Sequence, residues 1–322
     1  MTCVICTLFE GHYHYGLAVF VNSLVKRGYR GPIYAGFRGP LPPWAGKDAK
    51  AQPNGHIVLE VTPDVRIVFI PLKTEAHFAN FKPEFMLQLE ALAGAESDAL
   101  VYADPDLMLN IPWSYILDWI SCGVTVCEDV NSPNEENHPA RVGWRRFFKP
   151  HGHELHFRTS MYANSGWVGL TWNHRRLLVV WQEFMTHIAK LLGNSNVVGG
   201  IGGGVHIKGF YGFANCFYKV DQDALNAAIE ATPEIPVSFI GQEAMGFRSG
   251  QNILPHALGS TKPWQRSYLL SALSGVPPSK TEKLFWKLAD TPLRAFTPAQ
   301  LANTRAQLAV GAALGRFIRR TG

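Results

Sequence analysis

Two short stretches hold the residue types needed for chemistry at a charged leaving group. The first is Asp104-Pro105-Asp106, directly after the apolar run Ala99-Leu100-Val101-Tyr102-Ala103. The second runs from His256 through Gly259 to Lys262-Pro263-Trp264. Two carboxylates and an imidazole offer oxygen and nitrogen ligands to a divalent ion. A lysine offers a point charge to a phosphate oxygen. Together these parts could hold a metal ion against a diphosphate, which suggests an enzyme with a nucleotide-activated donor. In open α/β sheets ligands bind beyond the carboxyl ends of strands, and the acidic pair stands at such an end. Pro105 lacks an N–H and stops the strand there. Gly259 permits close backbone approach to a phosphate.

Three further segments accompany these two: Asp221-Gln222-Asp223-Ala224-Leu225-Asn226, Asn164-Ser165-Gly166, and the opening from Thr7 through Tyr13 and Gly16 to Ser23-Leu24. In this order, over roughly residues 1 to 265, the five resemble glycosyltransferase family 8. These are the retaining nucleotide-sugar enzymes that include glycogenin and bacterial lipooligosaccharide galactosyltransferases. The resemblance implies an α/β chain of GT-A type, with a Rossmann-like mixed sheet flanked by helices. It implies a UDP-sugar donor and manganese or magnesium, held by Asp104, Asp106 and His256, with Asp104 also touching the ribose. Thr7 and Tyr13 match positions that hold uracil, Tyr13 by stacking. Lys82, in Phe81-Lys82-Pro83, matches a basic position that reaches the diphosphate, beside Gly259 and Lys262. Asn164 becomes a sugar ligand. Asp221 and Gln222 are candidates for the hydroxyls of the transferred sugar and for steadying charge at its anomeric carbon. Two departures stand out. Glu10-Gly11 replaces an expected Asn or Asp in a slightly shorter loop, and the gap from Asn164 to Asp221 is unusually long.

Each residue also has a plainer local role. Asp221 could cap a helix whose Leu225 and Ile229 face the core, with Asp223 as first-turn charge. Asn164 could serve turn geometry alone. Lys82 could be a solvated helix start, and Trp264 packing. His151, His153 and His156 lie among Arg145, Arg146, Lys149 and Arg158, which would repel a metal cation. An exposed polar loop is the plain interpretation there, and a surface for an anionic acceptor the sharper one. Residues 193–212 contain eight glycines. They lack the Gly-Lys-Ser/Thr ending of a phosphate loop, so a mobile lid or acceptor-contacting insert is expected instead.

The 322 residues suffice for a large core, and 47% hydrophobic with 17% charged residues describes a globular chain. Five scattered cysteines argue for reduced thiols rather than a disulfide framework, and Cys3 and Cys6 for buried structural thiols rather than a redox or zinc pair. The first residues lack the basic start of a signal peptide, and no apolar run is long enough to span a membrane. The net charge of +5 is concentrated at one end: from Lys280 on, eight Lys/Arg face only Glu282 and Asp290, leaving residues 1–279 at −1. That end is either a solvated face or a contact with an anionic membrane surface. A cytoplasmic protein, peripheral at the inner face of the membrane, is the corresponding expectation. Nucleic acid is not an expected partner.

Alternation of apolar and helical patterns over residues 1–110 predicts a parallel α/β sheet. Strands are expected at Cys3–Leu8, Ile33–Ala35, Val65–Ile70, Ala99–Ala103 and Val168–Thr171. Helices are expected at Gly16–Arg27, Lys82–Leu92 and Arg175–Leu192. Residues 128–160 look like loops or an excursion from the sheet. Thr297-Pro298 reads as an N-cap and first-turn proline, with Val310, Leu314 and Phe317 as a short stripe on a terminal helix. The expected organisation is a catalytic domain over 1–265, its nucleotide half about 1–110 and its sugar and acceptor half about 111–265, followed by a basic helical extension over 266–322. The expected activity is retaining, metal-dependent transfer of glucose or galactose from UDP to a glycan or lipid-linked acceptor, as in lipopolysaccharide assembly. The alternatives are a nucleotide-sugar hydrolase, a nucleotidyltransferase, or a non-catalytic nucleotide-sugar-binding protein.

Overall fold

The computed structural model describes residues 1–193, 195–196, 216–315 and 317–318. Most of the glycine-rich stretch 193–212, and Arg316, Arg319 and Arg320 of the basic end, lie outside the described residues. In chain order the elements are β1 (Cys3–Glu10), α1 (His14–Lys26), β2 (Gly31–Arg38), β3 (Lys50–Ala51), β4 (Ile57–Thr62), β5 (Val65–Pro71), α2 (Phe78–Ala93), β6 (Ala99–Ala103) and α3 (Trp113–Ser121). They continue with β7 (Val124–Glu128), α4 (Pro139–Phe148), β8 (Ala163–Thr171), α5 (Arg176–Leu192), α6 (Val220–Ala231), β9 (Val237–Ile240), α7 (Tyr268–Leu273), α8 (Lys280–Leu288) and α9 (Pro298–Leu314). The chain forms two compact units: Met1–Leu8, Leu72–Asp104 and Ser114–Arg248 make the first, and Phe9–Pro71, Pro105–Trp113 and Ser249–Gly322 the second.

In the first unit the strands lie in the order β1-β6-β8-β7-β9. β1 runs parallel to β6 and β7 to β9, while β8 is antiparallel to both its neighbours. The sheet is thus mixed, as the resemblance implies: the parallel pairing expected over residues 1–110 holds for β1 and β6, and β8 adds the antiparallel pairs. β6 is buried along its whole length, which is why it reads as a continuous apolar run and not as an alternation. α2 packs on β6 and α6 on β8. Trp167 of β8 stacks on Trp119 of α3 at 6.3 Å and donates to the Thr125 hydroxyl. Cys3, Cys6 and Cys127 are buried and free, and burial pushes their thiols well up.

Residues 128–160 are not loop alone, for α4 lies among them. Pro139 opens it in the first turn, His138 accepts from the Ala140 N–H, and Trp144 and Phe148, one turn apart, are buried. Arg141 of α4 is fully enclosed. It pairs with Glu230 of α6 and donates to the carbonyls of Asn134, Thr159 and Met161. Burial pushes the Glu230 carboxyl up, against the pull of Arg141. Glu230→Ala would strand a buried guanidinium and is expected to cost about 3–5 kcal/mol. Urea unfolding checks this, and a loss under about 1 kcal/mol would show that water reaches Arg141.

In the second unit the order is β3-β4-β5-β2, with β2 and β5 parallel and the other pairs antiparallel. Phe9, Phe37 and Phe69 pack together. A further apolar cluster joins Val19 of α1 to Met108, Tyr268, Phe285, Trp286, Leu301 and Leu308. Asn22 reinforces it: its side chain donates to the carbonyls of Leu288 and Leu293 and accepts from the Leu293 N–H. The C-terminal helices thereby share a core with α1. Thr297 and Gln300 form a reciprocal cap with Pro298 in the first turn, as the sequence predicts. The expected apolar stripe behaves differently. Leu301, Leu308 and Gly311 are the buried residues of α9, while Val310 and Phe317 are exposed.

Candidate active site

In the first unit the chemistry gathers around Lys82. This lysine is buried on α2 and is no solvated helix start. Its Nζ lies 3.2 Å from Asp104 Oδ1, 3.2 Å from Asp221 Oδ2 and 3.1 Å from the Ser165 hydroxyl. Burial alone would lower the lysine pKa; the two carboxylates overturn that and raise it. Asp104 is held where β6 ends. Its N–H donates to the Gly166 carbonyl, and one carboxylate oxygen accepts from the Tyr102 hydroxyl.

Asp221 stands in the first turn of α6, one residue past its start, and does not cap it. Its carboxylate instead accepts from the Ser165 hydroxyl and Lys82, while its carbonyl accepts from the Trp181 indole N–H. No side chain caps α6; Asp223 reaches back from within the helix and accepts from the Lys219 N–H at 2.6 Å and from the Tyr162 hydroxyl at 2.9 Å. Asp223 is more than first-turn charge: buried, it has its carboxyl pushed up to about 8. Leu225 and Ile229 face the core as expected. Gln222 is buried beside Tyr162.

Asn164 lies inside β8 rather than in a turn. The register against β7 shifts there, with Val126 opposite Val168 and Cys127 opposite Asn164. This bulge re-aims the Asn164-Ser165-Gly166 segment. The Asn164 amide oxygen accepts from the Gly166 N–H, and its nitrogen donates to Asp129 at 2.6 Å. Asp129 escaped the sequence reading, and Ser165 entered it only as part of the Asn164-Ser165-Gly166 motif, not as a site residue. For Asp129 a signal existed: it is an acid just past the end of β7, as Asp104 is past β6. Thr7 of β1 keeps a buried hydroxyl with no hydrogen-bond partner among the described residues.

In the second unit residues 106–110 and 253–257 run side by side. Leu107 bridges His256, the Met108 N–H donates to the Pro255 carbonyl, and the Ala257 N–H to the Asp106 carbonyl. This register sets His256 Nε2 at 3.2 Å from Asp106 Oδ1. Lys262 Nζ donates to Asp106 Oδ2 at 2.7 Å and to the Ala257 carbonyl at 2.9 Å. All three side chains are buried. Burial would raise the Asp106 carboxyl; His256 and Lys262 outweigh it and hold the group well below the usual carboxylate range. Gly259 turns the loop with a φ of +99°, a conformation that disfavours any side chain.

Tyr13 also belongs to this unit. Lys262 Nζ lies 5.6 Å from its ring centre, His12 stacks on it at 4.9 Å, and Trp264 meets it edge-on. Trp264 packs on Phe285 and donates its indole N–H to His12 Nδ1, so it joins the second motif to the opening loop. The structure thus brings Lys82 to Asp104 and Asp221, and His256 and Lys262 to Asp106. It places Thr7 in the first unit and Tyr13 in the second. The triple His151, His153 and His156 does not gather: His151 stacks on His187 and His153 bonds Glu183.

Among the described residues of the second unit, Asp106 and His256 offer a carboxylate and an imidazole to a metal ion. Asp104 is joined to Asp106 through Pro105 alone. Two carboxylates with an imidazole fit a divalent ion of the manganese or magnesium kind.

No family model and no curated protein sequence matches the chain. Among solved structures, the galactosyltransferase LgtC in complex with donor and acceptor sugar analogues is similar, with a TM-score of 0.50 at 14% identity. The similarity covers 94% of this chain and 99% of that one. An active-site glutamine-to-glutamate mutant of LgtC gives the same values. The chain therefore has the GT-A fold of the galactosyltransferase LgtC.

Proposed function

We propose that this protein is a retaining, metal-dependent glycosyltransferase that moves a hexose, glucose or galactose, from a UDP-sugar to a glycan or lipid-linked acceptor. The observation that carries this reading is the buried Asp106–His256–Lys262 cluster on a GT-A fold. A buried carboxylate with two cationic or ligating partners is an expensive arrangement, and phosphate-directed metal chemistry gives it a use.

In this reading Asp104, Asp106 and His256 hold the divalent ion, which when bound offsets the charge of the leaving diphosphate. Lys262 adds a fixed positive charge at the same leaving group. Lys82 and Gly259 serve the diphosphate, Thr7 and Tyr13 the base, and Asn164, Asp221 and Gln222 the sugar. The two lysines now neutralise carboxylates, so donor binding exchanges those partners for phosphate oxygens. The acceptor oxygen forms its bond to the anomeric carbon on the face from which UDP departs. The bond from that carbon to the phosphate oxygen breaks, and the departing phosphate takes the acceptor's proton. Gln222 and Asp221 steady the positive charge in between.

A panel of nucleotide-sugars with manganese, read by nucleotide release with and without acceptor glycans, tests the reading. Acceptor-dependent UDP release is expected. Equal release without acceptor would make the protein a hydrolase, and no release from any donor would leave a binding protein. Proton NMR of the first-formed product is expected to show an α-linkage from an α-donor; a β-linkage would refute retention.

A further inference from the structure

Tyr162 has no part in the proposed chemistry, yet it is buried directly before β8, two positions ahead of Asn164. Its ring stacks on Trp144 at 6.3 Å. Its backbone is tied on both sides: the carbonyl accepts from the Asp129 N–H, and the N–H donates to the Ser132 hydroxyl. From this fixed place its hydroxyl reaches the first turn of α6, within the same unit. It donates to Asp223 Oδ1 at 2.9 Å, while Asp223 Oδ2 accepts from the Lys219 N–H. Asn226 clamps the same helix to β8. It accepts from the Ala163 N–H at 2.8 Å and donates to the carbonyls of Ala163 at 3.0 Å and Gln222 at 2.8 Å.

These bonds hold the backbone of Gln222 but not its side chain. The amide nitrogen is buried and has no hydrogen-bond partner among the described residues. A buried N–H requires an acceptor, and the polar group beside it is the Tyr162 hydroxyl. Asp223 decides which way that contact runs. With its hydrogen given to the carboxylate, the tyrosine oxygen has only lone pairs to offer, so it accepts from Gln222 and cannot donate to it. A neutral Asp223 could donate to the tyrosine and reverse the chain. Burial pushes this carboxyl up to about 8, against the pull of the Lys219 and Tyr218 N–H groups and the Tyr162 hydroxyl and with repulsion from Asp221 adding to the rise. The orientation is therefore complete above that pH.

We propose that Tyr162 is a positioning residue for sugar transfer: anchored by Asp223, its hydroxyl fixes the Gln222 amide so that the amide oxygen, and not the nitrogen, faces the transferred sugar. An oxygen in that place steadies the positive charge that develops at the anomeric carbon, whereas an NH2 group would oppose it. The use made of Gln222 rests on the transferase reading; the contact that orients it does not.

The first test is NMR of the full chain without donor, isotope-labelled at its glutamine side chains, at a pH above the Asp223 value. The Gln222 amide signal is identified by its loss in Gln222→Ala. In Tyr162→Phe, which keeps the ring and its stack on Trp144, that signal is expected to shift and its hydrogens to exchange faster with water. Asp223→Ala releases the tyrosine hydrogen and is expected to move the same signal. An unmoved signal in either folded variant overturns the proposal, whether or not the protein transfers sugar. The second test adds donor and acceptor. Tyr162→Phe is expected to lower kcat by about tenfold or more, with the donor KM within about twofold of native. An unchanged kcat, or a loss carried by KM alone, overturns the proposal. So does a loss in both together with a lower melting temperature, because the tyrosine would then only hold the fold. No transfer by the native protein would instead overturn the transferase reading, and the NMR result would still decide how Gln222 is held.

Discussion

Asp106→Asn is expected to abolish metal-dependent turnover while the protein stays folded. Asparagine keeps the size and one acceptor oxygen, so His256 and Lys262 retain a partner in their buried pocket. It removes the negative charge that a divalent ion binds. Even outer-shell partners of a metal are worth about 10–100-fold, so loss of a charged ligand should lower turnover by at least about a hundredfold, or roughly 3 kcal/mol. Manganese affinity, read by electron paramagnetic resonance, should fall in parallel. Unchanged turnover in this variant with a chelator present would remove the metal assignment altogether. The carboxyl itself does not limit metal binding at neutral pH. His256 and Lys262 depress it, so its share of stability is fully present above the ordinary carboxylate pKa near 4. That share is lost only as pH falls through the lower, folded value.

Lys262→Ala is expected to act on the chemical step. The ammonium matters most when the departing diphosphate gains negative charge, so its loss raises the barrier more than it weakens donor binding. The expected loss in kcat/KM is on the order of a hundredfold or more, carried by kcat. A loss seen only in KM would reduce Lys262 to a binding residue. Donor titration by calorimetry supplies the independent check, because binding should change far less than turnover. The variant also removes one of the two groups that hold the Asp106 carboxyl down, so that carboxyl should move up.

What could be read from the sequence was local. The apolar run Ala99–Ala103, with Asp104 and Asp106 beyond it, specifies a buried strand ending in two carboxylates, because burial and chain adjacency need no distant partner. The Thr297-Pro298 cap and the core-facing Leu225 and Ile229 were legible for the same reason: each rests on a spacing of a few residues. The family resemblance groups Asp106 with His256; the tertiary structure alone decided which charges pair directly. Lys82 finds Asp221 across 139 positions, and Asp106 finds His256 across 150. Nothing in either neighbourhood encodes such a pairing. Tertiary packing likewise moved Asn164 from a turn into a bulged strand. It drew the Asp221 carboxylate away from capping and toward Ser165 and Lys82, and it buried Arg141 in a segment that looks like loop. In each case a buried polar group must find a partner, and the partner it finds is set by how strands and helices stack, not by the residues beside it in the chain.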